Sequence, residues 1–88
     1  MKVVLVYKDF TDYARDVENY LRDFKIFTGR ELDTLDPEST EGEIFCQTYD
    51  ILEYPSIAAI SNDGHLQQLW RGIPLPQISE VSYYLSQE

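Results

Sequence analysis

The run Lys2-Val3-Val4-Leu5-Val6-Tyr7 opens the chain with a continuous aliphatic, β-branched segment. A strand of that kind must be covered on both faces, because successive side chains point to opposite sides and neither set tolerates water. The next segment supplies one cover. From Asp12 to Phe24 the apolar residues Tyr13, Ala14, Val17, Tyr20, Leu21 and Phe24 recur at helical spacing. Asp12, Arg15, Asp16, Glu18, Arg22 and Asp23 fill the opposite side. Either Asp9 or Thr11 has a side chain suited to capping the start. About thirteen helical residues span about 20 Å, close to the length of a six-residue strand. A strand–helix–strand crossover requires that match.

Thr28-Gly29 breaks the helix, and Glu31 to Asp36 reads as a short, polar second strand at a sheet edge. Asp36-Pro37-Glu38-Ser39 is a turn and helix-start signal. A brief helix follows over Glu41 to Tyr49, with Ile44, Phe45, Thr48 and Tyr49 on one face and Gly42 weakening its first turn. Ser56 to Ser61 is a second apolar strand. Asn62-Asp63-Gly64-His65 is a hairpin turn, since Asp-Gly tolerates positive φ. Leu66 to Arg71 returns as an antiparallel strand, Gly72 ends it, and a last helix runs over Gln77 to Ser86 with Ile78, Val81, Tyr84 and Leu85 inward. The order is β-α-β-α-β-β-α. A right-handed crossover makes the first two strands parallel neighbours. The hairpin adds to the other side of strand one, so the expectation is an α/β fold with a four-stranded mixed sheet in order 2-1-3-4 and helices on both faces.

The 88 residues amount to one domain, 1–88, which buries roughly 60% or a little more of its unfolded surface. Net charge is −9, from sixteen acids against seven bases. Nucleic acid and anionic membranes are disfavoured as partners, because phosphate contacts need clustered Lys and Arg. The acids are spread along the chain and read as a solvated surface; an acidic decoy of DNA is the alternative. One cysteine, Cys46, cannot form an internal disulfide, which fits a reducing compartment. The chain enters a strand without a signal peptide and has no run of membrane-spanning length, so a cytoplasmic protein is expected.

Phe45 to Leu85, "FCQTYDILEYPSIAAISNDGHLQQLWRGIPLPQISEVSYYL", resembles the second half of a thioredoxin domain. Tyr49-Asp50-Ile51 is similar to the Tyr-Gly-Ile that closes the helix before the proline loop. Glu53-Tyr54-Pro55-Ser56 is similar to the Gly-Ile-Pro-Thr stretch whose proline is cis. Asn62-Asp63-Gly64 looks like the family's hairpin turn, and Trp70-Arg71-Gly72 like its last strand and terminal glycine. The first half agrees by element order alone. The resemblance therefore implies a minimal thioredoxin-like fold of the thioredoxin and glutaredoxin type.

It also implies where the family's chemistry would sit. The Cys-x-x-Cys motif opens the first helix, whose N-terminus stabilises the attacking thiolate. In register, with Val17 and Leu21 inward, that quartet is Thr11-Asp12-Tyr13-Ala14. Threonine cannot exchange disulfides, Ala14 cannot resolve one, and Asp12 would oppose a thiolate. A one-residue shift places Phe10 and Tyr13 there, with the same consequence. The glutathione-binding double glycine of glutaredoxins is also missing after the fourth strand.

The remaining candidates have ordinary explanations. Cys46 reads as a small semi-buried residue on the second helix. His65 stands alone in a turn without metal-ligand companions. Thr11 has no base in view. Asp9, Asp12 and Asp16 are ordinary carboxylates near a helix N-terminus. The expectation is a redox-inactive module without cofactor or metal, binding a protein or peptide through the former active-site face. That face comprises Phe10, Thr11, Asp12, Tyr13, Tyr54, Pro55 and Ile73, an apolar patch with an acidic rim; Asp9 and Asp12 would select a basic partner. The alternative is a diverged thiol-dependent or glutathione-binding protein acting through Cys46. A third reading is assembly through the edge segment Glu31–Asp36, although a monomer is the simpler state.

Overall fold

The valine-rich run becomes strand β1, Lys2–Val6, at the inside of a four-stranded sheet ordered β2-β1-β3-β4. The computed structural model describes residues 1–86. Strand β2, Asp33–Leu35, pairs parallel to β1, with Val4 opposite Asp33. Strand β3, Ser56–Ile60, pairs antiparallel to β1, with Val4 opposite Ala58, and β4, Leu66–Arg71, closes the hairpin. Helix α1 spans Ala14–Thr28, α2 Thr40–Tyr49 and α3 Ile78–Leu85. Element order, strand order, the parallel β1–β2 pair and the antiparallel β3–β4 hairpin are those expected from the sequence.

The period of two divides the strands between two cores. Val3 and Leu5 join Ile57 and Ala59 under Val17 and Phe24 of α1 and Val81 of α3. Val4 and Val6 join Ala58, Ile60 and Ile51 under Cys46 of α2. Fully burying a side chain the size of Leu5 or Phe24 contributes roughly 1.5–3 kcal/mol. Trp70 of β4 meets Tyr84 of α3 edge to face, with ring centroids 5.4 Å apart, and so ties the outer strand to the last helix. On the outer side of β4, the Leu69 N–H is taken up by the side-chain oxygen of Gln68 at 3.0 Å.

Three local details differ from the sequence reading. Helix α1 begins at Ala14 rather than Asp12, because Thr11–Ala14 first close a turn (Ala14 N–H to Thr11 O, 3.2 Å). Neither Asp9 nor Thr11 caps it; Tyr13 occupies the N-cap without a side-chain bond. The helix also runs a turn past Phe24 until Gly29, at φ 72°, donates its N–H to Lys25 O at 2.8 Å. The second strand keeps only three residues of the expected six, although Leu32 still packs into the α1 core.

Helix α2 shows the third difference. Its inward face is Gly42, Phe45, Cys46 and Tyr49, while Ile44 and Thr48 are exposed. Ser39 fixes the entry: its hydroxyl accepts the Gly42 N–H at 3.0 Å and donates to Asp36 O at 2.6 Å. That clamp presses Gly42 onto the preceding turn. A Cβ there would lie 1.8 Å from the Asp36 carbonyl oxygen and 3.0 Å from Pro37 Cα. Gly42 is thus demanded by close approach, and it rotates the helix so that Cys46, not Ile44, faces the sheet.

Gly42→Ala provides a direct test. Helix propensity alone predicts a gain of about 1 kcal/mol; the contact predicts a loss of at least about 2 kcal/mol, read as a lower urea midpoint. A second test concerns Tyr20, whose hydroxyl is buried without a hydrogen-bond partner. Burial, with a smaller effect of Glu80, pushes its pKa up to about 12 from 10.0. The neutral form is the one the fold favours, so stability is full below pH 10 and falls as pH rises from 10 towards 12. Tyr20→Phe should flatten that alkaline fall in urea titrations. It should also stabilise the protein at pH 7 by about 1 kcal/mol, by removing an unpaired hydroxyl.

Candidate functional site

The loop between β1 and α1 is held by three polar bonds. Tyr7 N–H donates to Leu35 O at 3.2 Å, Lys8 N–H to the Tyr13 hydroxyl at 3.1 Å, and the Thr11 hydroxyl to Lys8 O at 2.9 Å. Within this frame Phe10 adopts φ 59°, the left-handed region that bulky residues avoid, and its ring is fully exposed. Asp12 is exposed beside it. Asp9 lies with Tyr7, Thr34 and Asp36 around a small depression of about 110 Å³ at the β2 side.

Across from this loop stands the Glu53–Ser56 segment. The Tyr54–Pro55 bond is cis and Pro55 is buried. Ser56, also buried, donates its hydroxyl to Glu53 O at 2.6 Å. Pro55 O accepts the Gly72 N–H at 2.8 Å, which sets exposed Ile73 next to the proline. Gly72 has φ 71°, and a Cβ there would meet the Glu53 carboxylate at 3.0 Å. The Ile73–Pro74 bond is cis as well, a feature for which the sequence carries no signal.

Lys8 joins the two sides. Its ammonium lies 5.4 Å from the centroid of the Tyr54 ring and 3.6 Å from the Glu38 carboxylate. The corner therefore brings together Tyr13, Tyr54, Pro55 and Ile73, with Thr11 tied into its frame and Phe10 and Asp12 standing out from it. Its middle carries a cation that the sequence reading missed. A single lysine after a strand has no motif to announce it; only the fold lays it over Tyr54.

Cys46 lies beneath, 7% exposed in the α2 core, with the Tyr54 hydroxyl against its thiol. Burial raises the thiol's pKa above its usual 9.0, and the Tyr54 hydroxyl only partly opposes this. The same burial, followed by the thiol's proximity, raises Tyr54. Burial therefore favours the protonated thiol near neutral pH. His65 is exposed in the β3–β4 turn, 3.3 Å from Asp63. Among the described residues no group of His, Cys, Asp and Glu is arranged to hold a metal, and no helix is long and apolar enough to cross a membrane.

No family model and no curated protein matches the sequence. Solved structures do match the fold. Thioredoxin 1 from the thermophilic eubacterium Thermosipho africanus superposes with a TM-score of 0.65 at 11% identity, over 99% of this chain and 92% of that one. A malarial protein gives 0.64 at 8% identity, over 97% and 92%, and a designed protein 0.59 at 17%, over 98% and 73%. At such identities the likeness concerns the fold alone. The chain has a thioredoxin-like fold.

The thiol can be checked separately. A disulfide reagent such as Ellman's should label native Cys46 at least tenfold more slowly at pH 7 than the urea-unfolded chain. The native rate should still be climbing above pH 9, where that of the unfolded chain levels off, since burial has moved ionisation upward.

Proposed function

We propose that the chain is a redox-inactive, thioredoxin-like binding module that engages a protein or peptide at the corner of Phe10, Thr11, Asp12, Tyr13, Tyr54, Pro55 and Ile73. Phe10 carries the reading. An aromatic residue in the left-handed region costs about 1–2 kcal/mol, and here the ring gains no burial in return. A partner that covers the ring supplies what the isolated chain lacks. Ile73 adds a second exposed apolar side chain, and Tyr54 a half-buried ring already under a cation.

The chemistry of the corner supports binding over catalysis. Its side chains include no thiol, the Thr11 hydroxyl is committed to Lys8 O, and the one thiol of the chain is buried with its pKa raised. Asp12, exposed beside Phe10, favours a partner segment with basic residues; Asp9 extends that preference towards β2. The module works in the cytoplasm as a single domain without cofactor, metal, nucleic acid or membrane.

Affinity capture with wild type, Phe10→Ala and Tyr54→Ala tests this. Both variants should lose proteins that wild type retains, and identical retrieval overturns the assignment. Measurable insulin reduction, or a Cys46-dependent shift of amide signals on adding glutathione, would establish the thiol reading instead. Phe10→Gly should be at least as stable as wild type in urea, because glycine relieves the left-handed strain. The same variant should bind no partner.

A further inference from the structure

The acidic residues run the whole length of the chain, but the basic ones do not. From Glu31 to Trp70 there are nine carboxylates and neither a lysine nor an arginine, while the remaining residues hold seven of each sign. The entire net charge of −9 therefore belongs to β2, α2, β3, most of β4 and their loops. On the side of the sheet that α2 covers, the helix and its flanking segments carry Asp36, Glu38, Glu41, Glu43, Asp50 and Glu53, against Lys8, which pairs with Glu38, and Lys2, which lies near Glu41. Glu31 and Glu38 are paired, with Lys25 at 2.7 Å and Lys8 at 3.6 Å. Among the described residues, Glu41, Glu43, Asp50 and Glu53 have no basic side chain within ion-pair reach.

The same side carries an apolar opening. A groove of about 310 Å³ runs between α2 and the segment leading to Tyr54, walled by Glu43, Gln47, Asp50, Leu52 and Tyr54, with Cys46 among its lining residues. Leu52 is 86% exposed. Ile44, three residues before Gln47 and so its neighbour on the helix surface, is 60% exposed. Leu52 thus holds a large aliphatic side chain in water at the groove itself, with Pro37 and Ile51 also in the lining.

We propose that this groove is a second docking surface, for a cationic segment of a partner protein in which arginines or lysines flank a leucine-sized anchor. The anchor enters over Leu52, and the cations meet Glu43 and Asp50. The volume sits at the floor of small-ligand pockets, about 300–1,000 Å³, which suits one or two side chains of a docked segment. A second copy of the chain is the wrong occupant, because it would set two surfaces of the same unbalanced sign against each other. The groove shares only Tyr54 with the Phe10 corner and stands whether or not that corner binds.

The test is an amide NMR titration of the isotope-labelled full chain with a synthetic peptide of alternating arginine and leucine. Shifts should concentrate between Glu43 and Tyr54, and Phe10→Ala should leave them unchanged. Glu43→Gln combined with Asp50→Asn should weaken binding about fivefold at low salt, with the difference shrinking at 0.5 M. Leu52→Ser, at an exposed position, should weaken it at both salt concentrations. Equal binding of an arginine–serine peptide would reduce the contact to unspecific charge attraction and overturn the proposal. Shifts confined to Phe10 and Ile73, or no shifts at all, overturn it too.

Discussion

Strand β1 is sealed on both faces by different helices, and the positions of the other elements follow from that sealing. Val3 and Leu5 demand α1 and α3; Val4 and Val6 demand α2. A single strand thereby couples two cores that share no helix, so water admitted to either face would expose part of the same backbone segment. The chain leaves β1 for α1 at one end of this doubly buried strand. Pro55, just before β3 and across from that exit, must lie beside it because Val6 pairs with Ser56. Strand register, more than any side-chain motif, builds the corner.

What register builds there differs in chemistry from a dithiol site. The turn before α1 offers a threonine whose hydroxyl is spent on the backbone, and the tyrosine hydroxyl behind it receives the Lys8 N–H. Lys8 then extends over Tyr54 towards Glu38, so the corner is organised by a cation above an aromatic ring. Sulfur enters only from below, where Cys46 serves the α2 core. Thiol chemistry favours an accessible sulfur in an electropositive surround; here the Phe10 ring is exposed and the thiol is buried among apolar side chains.

Much of the fold was legible because its signals are periodic and repeated. The alternation in β1 and β3, the helical stripe of α1 and the Asp63-Gly64 turn each involve several residues that agree with one another. Legibility failed where one contact outweighed a pattern. On spacing alone Ile44 belongs to the inner face of α2, yet the approach of Gly42 to the Asp36 carbonyl turns that face towards Cys46. Thr11 looked like a cap and instead holds the loop through Lys8 O. The corner was legible in part: Tyr13, Tyr54, Pro55 and Ile73 converge, but the strained backbone of Phe10 and the bridging role of Lys8 arise from tertiary geometry.

The Gln68 side chain that occupies the Leu69 N–H has a meaning for the molecule among its own kind. Strand β4 is a sheet margin six residues long, and such margins recruit strands from neighbouring chains. Here one outward donor is already spoken for from within. At the opposite margin β2 offers three residues, one of them the charged Asp33. At both borders, an incoming strand therefore meets fewer free backbone groups than an open edge would offer.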